Sequence, residues 1–260
     1  MERPLFVISL LMAAALTFGG SAVYNMDSKQ ITAINRNLQV NSMNKEWSEL
    51  NKTMQAQIKR KDTYIDGIST LFELRNSLMQ TIMSFRNELS REDFSAIPFI
   101  NADGYHSKTI AYSLWHIFRI EDIVAHTLIS GDEQIFFSGN YQERINSSII
   151  TTGNELVKTD ISDFSKQLDI DELYSYISEV KESTEAILRE LPYGMLKQGI
   201  PAERRETLQN MNVVSSDENA VWLIDYWCGK DVRGLIQMPF SRHWIMHTEA
   251  GLRIANKIRK

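Results

Sequence analysis

The sequence predicts an all-α protein: an antiparallel helical bundle with a four-helix core, additional short helices and an N-terminal helical extension. Glycine and proline are sparse, with 12 and 5 in 260 residues, which disfavours a turn-rich β fold. Apolar residues recur every three or four positions over several long segments, as on one face of an α-helix. No segment shows the sustained apolar–polar alternation of a half-buried strand.

The first 25 residues contain an apolar run from Leu5 to Val23. Its length suits either a signal peptide or a membrane anchor, although Glu2 beside Arg3 makes a weak positive flank. The alternative is an extended gene start, with Met26 beginning a cytoplasmic chain. Both interpretations stay open. The expected location is cytoplasmic, and a membrane-anchored or exported protein is the alternative. A membrane is a partner only if residues 5–23 are a retained anchor.

Residues 26–61 form a polar segment with apolar residues at helical spacing, including Trp47, Met54 and Ile58. We interpret it as a solvated amphipathic helical extension, with an arm packed on the main domain as the alternative. Residues 62–260 are then the helical-bundle domain.

Four long helices are predicted within this domain. The first covers about residues 64–90, where apolar residues line one helical face. The second covers about 107–129 and ends before Gly131, a typical residue after a helix C-terminus. The third covers about 170–191, with Asp169 as its N-cap and Pro192 just beyond its end. The fourth begins near Pro239, which suits a first helical turn, and continues to about residue 258.

The connections between these helices are predicted to be elaborate. Pro98 and the segment 101–104 indicate a loop. Residues 132–168 favour short helical pieces with a loop near 151–154, and short helices are predicted at 201–212 and 218–227.

Charge and cysteine content exclude several classes of function. The net charge is −5, with no basic patch of the kind that binds nucleic acid. Cys228 is the single cysteine, so the sequence has neither a disulfide framework nor a cysteine-rich metal site. A reducing compartment fits this composition.

The strongest local signal is the pair His243 and His247 in the segment RHWIMH. Residues four apart on a helix project from the same face, so both imidazoles can reach one ion. Nitrogen ligands suit zinc, nickel and iron, which leaves the identity of the metal open. The alternative is a pair of histidines without metal, one of them capping a carbonyl. A zincin protease is excluded because Trp244 stands where the HExxH motif requires glutamate.

A bundle site needs a third ligand from another helix, and three histidines are available: His106, His116 and His126. His116 and His126 differ by roughly 80° in direction and about 15 Å along a helix axis, so they cannot share an ion. His116 lies beside the apolar face, where an imidazole needs a hydrogen bond or a metal. His126 lies nearer the helix C-terminus, where a cation is favourable without any metal.

The segments AYSLWHIFRIEDIVAH and MPFSRHWIMHTEAGLRI together resemble the DinB-like (YfiT-like) family. The resemblance covers roughly residues 64–260. It implies a four-helix bundle with three metal-binding histidines, one on the second long helix and two on the last, which are His116, His243 and His247 here. The family includes thiol-dependent S-transferases and metal-dependent hydrolases. The resemblance therefore implies a small substrate, and a low-molecular-weight thiol is one option. A homodimer is also compatible with the resemblance.

Three neutral nitrogen ligands leave a coordination position open for water or substrate. We therefore expect an enzyme in which a metal-activated thiol or water attacks a small electrophile. The alternative is a non-catalytic, stress-associated helical protein that binds metal. No catalytic residue is assigned. Glu121, Asp122 and Glu249 are candidates to assist catalysis, and we interpret Glu121 and Glu249 as surface carboxylates. Asp225 either orients a ligand histidine or forms an ion pair with Lys230 or Arg233.

Overall fold

A computed structural model of the chain describes the backbone of residues 28–259 and the side chains of residues 40–259. The predictions for residues 1–25 lie outside the described residues. The described part is all-α and holds no strand, only an isolated antiparallel bridge between Gly199 and Asp231. The α-helices are α1 (Ser28–Gln57), α2 (Tyr64–Glu88), α3 (Ile110–Asp122), α4 (Ile135–Ser138), α5 (Tyr141–Arg144), α6 (Thr159–Gln167), α7 (Ile170–Glu190), α8 (Ala202–Asn210), α9 (Trp222–Cys228), α10 (Val232–Gln237) and α11 (His243–Ile258).

Short helical segments of other types join these helices. Two are π-helical and extend α-helices: Ile123–Ser130 follows α3, and Met238–Arg242 links α10 to α11. The others are 3-10 turns, at Lys61–Thr63, Asp93–Ser95, Gly104–His106 and Tyr193–Lys197.

Helix α1 is longer and more buried than the sequence predicts. Residues from Val40 onward form one compact unit, which includes the C-terminal part of α1. Trp47, Met54 and Ile58 are fully buried there, and the Trp47 indole donates a hydrogen bond to Ser77 Oγ on α2 at 2.9 Å. The interpretation as a solvated extension is therefore wrong for this part of α1, which packs into the core.

Helices α2, α3, α7 and α11 all contribute buried apolar side chains to the main core. Helix α3 contacts α7 and α11, and α2 contacts the same two helices. Each side chain of α3 is buried, including the charged residues Arg119, Glu121 and Asp122. Apolar side chains from α2, α7 and α11 pack against α3 in a continuous cluster. Burial of this surface is the main source of the free energy that holds the helices together.

Capping residues fix where two of these helices begin. The Thr109 hydroxyl accepts a hydrogen bond from the Tyr112 amide at 3.0 Å and starts α3, three residues later than predicted. The Asp169 carboxylate accepts from the Glu172 amide at 3.0 Å and starts α7, as predicted. Gly131 adopts a left-handed conformation with φ 81°, which ends the helical run begun by α3 at the predicted glycine.

The last helix differs from the prediction because helical structure already begins at Val232. Pro239 has no amide hydrogen, so it cannot donate the hydrogen bond of a continuous α-helix. The chain accommodates it in a π-helical turn, where the Ser241 hydroxyl donates to the carbonyl of Ile236 at 3.2 Å and of Gln237 at 3.0 Å. This turn directly precedes His243 and so sets the direction in which α11 begins.

The described helices were also compared with the requirements of a membrane span. None of those between residues 28 and 259 combines the length and the apolar character that crossing a bilayer requires.

Candidate metal centre

Three buried histidines from two helices meet in one cluster. His116 lies on α3, while His243 and His247 lie on successive turns of α11. One potential ligand atom from each residue lies within 4.8 Å of the other two. The ring centroids are 4.9 Å apart for His116 and His243, 4.9 Å for His116 and His247, and 4.7 Å for His243 and His247. This cluster could hold one metal ion.

A hydrogen bond fixes the tautomer of His116. Its Nδ1 lies 2.7 Å from the carbonyl oxygen of Thr152, which can only accept, so neutral His116 carries its proton on Nδ1. The Nε2 atom then keeps its lone pair for a metal. A backbone carbonyl in this role is a common means of orienting a metal-binding histidine.

Burial keeps the three imidazoles neutral, which is the form that binds metal. His116, His243 and His247 are 6%, 7% and 5% exposed. Burial lowers the pKa of His116 to about 4, and it lowers the pKa of the other two well below the ordinary value. Neighbouring histidines lower the pKa of His243 and His247 further, because a second positive charge in the cluster is repelled.

Unpartnered ring nitrogens provide a test of whether a metal fits this cluster. The Nδ1 atoms of His243 and His247 are buried and have no hydrogen-bond partner among the described residues. A buried polar atom without a partner costs free energy, so a stable protein usually supplies one. The donor set consists of neutral imidazoles without a carboxylate or thiolate, which suits zinc, nickel or iron better than magnesium or calcium.

The protonation of His116 predicts a pH dependence for the metal-free protein. In the unfolded chain this histidine takes up a proton near pH 6.5, whereas folded His116 stays neutral down to about pH 4. The unfolded state therefore binds more protons between these values, and stability falls as the pH falls through them. From His116 alone we expect a loss of about 2 kcal/mol between pH 7 and pH 5.

Urea unfolding of the metal-free protein at both pH values measures this loss. Carboxylates also contribute to the total, so the informative quantity is the difference between wild type and His116→Gln. The substitution should reduce the pH-dependent loss by about 2 kcal/mol. An equal loss in both proteins would show that His116 titrates normally in the folded state.

Aromatic and basic side chains border the histidine cluster. The ring of Tyr112, one turn before His116 on α3, stacks on it with centroids 5.4 Å apart. Tyr105 lies in the 3-10 turn that contacts α11, and its ring centroid is 5.9 Å from that of His247. Lys108 holds its Nζ 4.8 Å from the centroid of the Tyr112 ring. Tyr112 is 1% exposed and packs in the core, while Tyr105 and Lys108 are only partly buried.

A buried charge network lies behind the histidines, and it corrects the prediction for Glu121. That carboxylate is fully buried and pairs with both terminal nitrogens of Arg75, at 2.9 and 2.7 Å. Glu121 also accepts a 2.6 Å hydrogen bond from the indole of Trp244, the residue after His243. Arg75 further donates to Glu185 at 3.1 Å and to the carbonyl of Phe240 at 3.3 Å.

This network ties α2, α3 and α7 to the beginning of α11. Because Phe240 lies in the π-helical turn and Trp244 in the first turn of α11, both contacts act on the segment that carries His243. The sequence shows no direct signal for it, since Arg75 and Glu121 are 46 residues apart.

The other predicted helper residues serve structural roles. Asp122 is fully buried and accepts hydrogen bonds from the amides of Ile135 and Phe136, each at 2.9 Å, and from the hydroxyl of Tyr176 at 2.8 Å. Its oxygens therefore hold α4 against α3 and α7. Glu249 is partly exposed and pairs with Arg253 on its own helix at 3.7 Å, as expected of a surface carboxylate.

Both interpretations of Asp225 are wrong. Its side chain is 77% exposed and pairs with Arg205, not with a ligand histidine, Lys230 or Arg233. Arg205 belongs to α8, whose position next to α9 the sequence does not reveal.

The remaining two histidines lie outside the cluster. His106 stacks on Tyr105, with centroids 4.2 Å apart. His126 bonds to Asp132 at 2.7 Å and to the Ser183 hydroxyl at 3.1 Å, which satisfies both of its ring nitrogens. Of the three candidates for a third ligand, only His116 is brought to His243 and His247.

The aromatic side chains near these histidines belong mainly to the core. Trp115, Trp227, Phe240 and Trp244 are at most 1% exposed. Trp222 is the exception at 48% exposure, with its indole donating to the carbonyl of Asn219 at 2.9 Å.

The chain was also compared with known proteins. No protein-family model matches it, and no curated protein matches it either.

Proposed function

We propose that the protein binds one divalent metal ion through His116, His243 and His247 and is a metal-dependent enzyme of the DinB-like class. The observation that carries this proposal is the convergence of three buried, neutral imidazoles to within 4.8 Å. Three such ligands leave at least one coordination position for water or substrate. A bound ion would lower the pKa of a water or thiol at that position and make it a nucleophile near neutral pH.

The chain's own residues support this role in specific ways. Thr152 fixes the proton of His116 on Nδ1 and directs Nε2 to the ion. The three histidines keep a small exposed fraction of 5–7%, and Tyr105 and Lys108 lie near them. The proposed reaction is attack of a thiol or water on a small electrophile, within a four-helix bundle made of α2, α3, α7 and α11.

A second candidate is a metal-binding protein without turnover, with a structural or stress-associated role. It is favoured by the composition of the cluster, since none of the carboxylates in residues 40–259 joins the three histidines. An ion held there would have no adjacent acid or base of its own.

Metal analysis and a transfer assay test the proposal. We expect purified or reconstituted protein to bind about one ion per chain, and His243→Ala to bind none, because two imidazoles in a buried site hold an ion weakly. His106→Ala is the matched control and should keep the metal, since His106 lies outside the cluster.

The transfer assay then separates the two candidates. Conjugation of a low-molecular-weight thiol to an electrophilic aromatic halide, or hydrolysis of an activated ester, should depend on the bound metal. Metal binding without either reaction would favour the non-catalytic candidate. Wild-type protein that binds no metal after reconstitution would contradict both.

A further inference from the structure

We infer that Lys108 makes the open position of this site selective for a ligand that carries a negative charge, with a small carboxylate as the simplest example. This inference rests on the proposed function, because it concerns the ligand that would complete the coordination of the ion.

The position of Lys108 is defined by two successive ring contacts. Its Nζ lies 4.8 Å from the centroid of the Tyr112 ring, and that ring stacks on His116 at 5.4 Å with an interplanar angle of 13°. Tyr112 and His116 lie one turn apart on α3, whereas Lys108 directly precedes Thr109, the N-cap of that helix. The two contacts place the ammonium group next to a ring that itself contacts His116.

The charge of Lys108 acts directly on the cluster. Burial is the main cause of the lowered pKa of His116 and His247, and the charge of Lys108 lowers both further, so its field reaches ligands on α3 and α11. None of the carboxylates in residues 40–259 lies within 4.0 Å of Nζ to neutralise it. The lysine is also partly buried, which makes an unpaired ammonium costly.

Glu155 is a carboxylate whose charge acts on Tyr112. Burial raises the pKa of the Tyr112 hydroxyl and the charge of Glu155 raises it further, while this hydroxyl donates at 2.9 Å to the carbonyl of Gly153. One carboxylate oxygen of Glu155 accepts from the hydroxyl of Thr151, and the other is buried with no hydrogen-bond partner among residues 40–259. Glu155 thus balances one positive charge at most.

Charge balance then indicates the ligand. The three histidines are neutral, so an ion would add two positive charges to the field that Lys108 already creates. With Glu155 as the single balancing carboxylate, the occupied site would keep a net positive charge in a partly desolvated setting. An anionic ligand relieves the repulsion between the ion and the ammonium, whereas a neutral ligand leaves it unchanged.

A structural role for Lys108 makes different predictions. Its Nζ lies over the Tyr112 ring, and a lysine that only packs there would affect stability through lost contacts. Replacement with methionine retains most of that apolar contact and removes only the charge. Lys52→Met, at an exposed position on α1, is the control for loss of a lysine charge elsewhere.

The first measurement is the affinity for the metal alone, by calorimetric titration of the full chain in a buffer without coordinating anions. We expect Lys108→Met to bind Zn²⁺ or Co²⁺ about five-fold more tightly, because a repelling charge has been removed. Lys52→Met should match wild type. Equal or weaker metal binding by Lys108→Met would overturn the inference.

The second measurement is ligand binding to the cobalt-loaded protein, followed by the visible absorption of Co²⁺. Acetate and imidazole serve as probes, since both coordinate metals but only acetate is charged at neutral pH. Lys108→Met should weaken acetate binding about ten-fold and leave imidazole binding unchanged. Lys108→Arg should restore acetate binding, because it returns the charge.

The opposite signs expected for metal and acetate make the test decisive, because damage to the fold would weaken both. Equal loss of acetate and imidazole binding would overturn the inference and leave the metal site standing. Failure of the wild-type protein to bind any metal would instead contradict the proposed function, and the inference would fall with it.

Discussion

Replacing Arg75 with methionine is expected to destabilise the protein by about 3–5 kcal/mol. Arg75 and Glu121 are both fully buried and form a two-point ion pair. Without the guanidinium, Glu121 keeps one hydrogen bond, from Trp244, and Glu185 keeps Lys181 at 2.8 Å. A buried carboxylate that loses its counter-charge is destabilising by several kcal/mol, which urea unfolding at pH 7 will measure.

Arg86→Met provides the control for loss of an arginine that forms an ion pair. Arg86 lies on the same helix and pairs with Asp171, but the two side chains are 42% and 78% exposed. An exposed pair of this kind contributes about 0–1 kcal/mol. Equal losses for Arg75→Met and Arg86→Met would contradict the importance of the buried pair.

The double variant Arg75→Met with Glu121→Met tests the physical reason. Removing both charges leaves no isolated carboxylate in the pair, so the double variant should be more stable than Arg75→Met alone. A double variant that is less stable by the sum of the two single effects would show that the two residues act independently.

The helices were largely predictable because their signals are local. Asp169 and Gly131 act through hydrogen bonds and backbone angles within a few residues of themselves, and both end or begin a helix where predicted. The hydroxyl of Thr109 acts in the same local way, and it starts α3 at Ile110, three residues after the predicted start. The predicted start of the last helix near Pro239 is wrong for a different reason. Pro239 lies in a π-helical turn, which depends on Ser241 and on a contact from α2.

The histidine cluster was predictable in part. The spacing of His243 and His247 already places them on one face of a helix, and the structure brings His116 to them. What spacing could not indicate is the environment of Glu121. Glu121 lies five residues after His116, and without a known partner its carboxylate is interpreted as solvated. The partner is Arg75, which comes from another helix.

The environment of α1 shows the same limit. A polar composition predicts a solvated helix, but burial of three apolar positions, Trp47, Met54 and Ile58, is decided by the surface that α2 offers. Composition averages over a segment, whereas packing depends on individual side chains.

Replacing Trp244 with phenylalanine is expected to cost about 2–3 kcal/mol of stability and to weaken metal binding about ten-fold. The indole donates a 2.6 Å hydrogen bond to the buried, charged Glu121, and phenylalanine cannot replace it. Since Trp244 adjoins His243 and anchors the first turn of α11, its loss should loosen two ligands at once. Urea unfolding of the metal-free protein and calorimetric zinc titration measure the two effects.

Trp115→Phe is the matched control, because the same substitution is made in the same core beside another ligand. Trp115 precedes His116 as Trp244 follows His243, and it is fully buried against Phe136 and Phe164. Its indole nitrogen, however, has no hydrogen-bond partner among residues 40–259. Phenylalanine there removes ring volume and a buried unpaired donor, so stability should change by about 1 kcal/mol or less and zinc affinity should stay the same.

Comparison of the two tryptophan variants isolates the hydrogen bond to Glu121. A role in positioning His243 requires weaker zinc binding in Trp244→Phe than in Trp115→Phe, together with an altered visible spectrum of the cobalt-loaded protein. If both variants bind zinc equally, the network stabilises the fold without orienting the ligands. Glu121→Gln adds a further check. The amide oxygen of the glutamine can still accept the hydrogen bond from Trp244, although the ion pair with Arg75 is lost. Zinc affinity should therefore be retained better in Glu121→Gln than in Trp244→Phe.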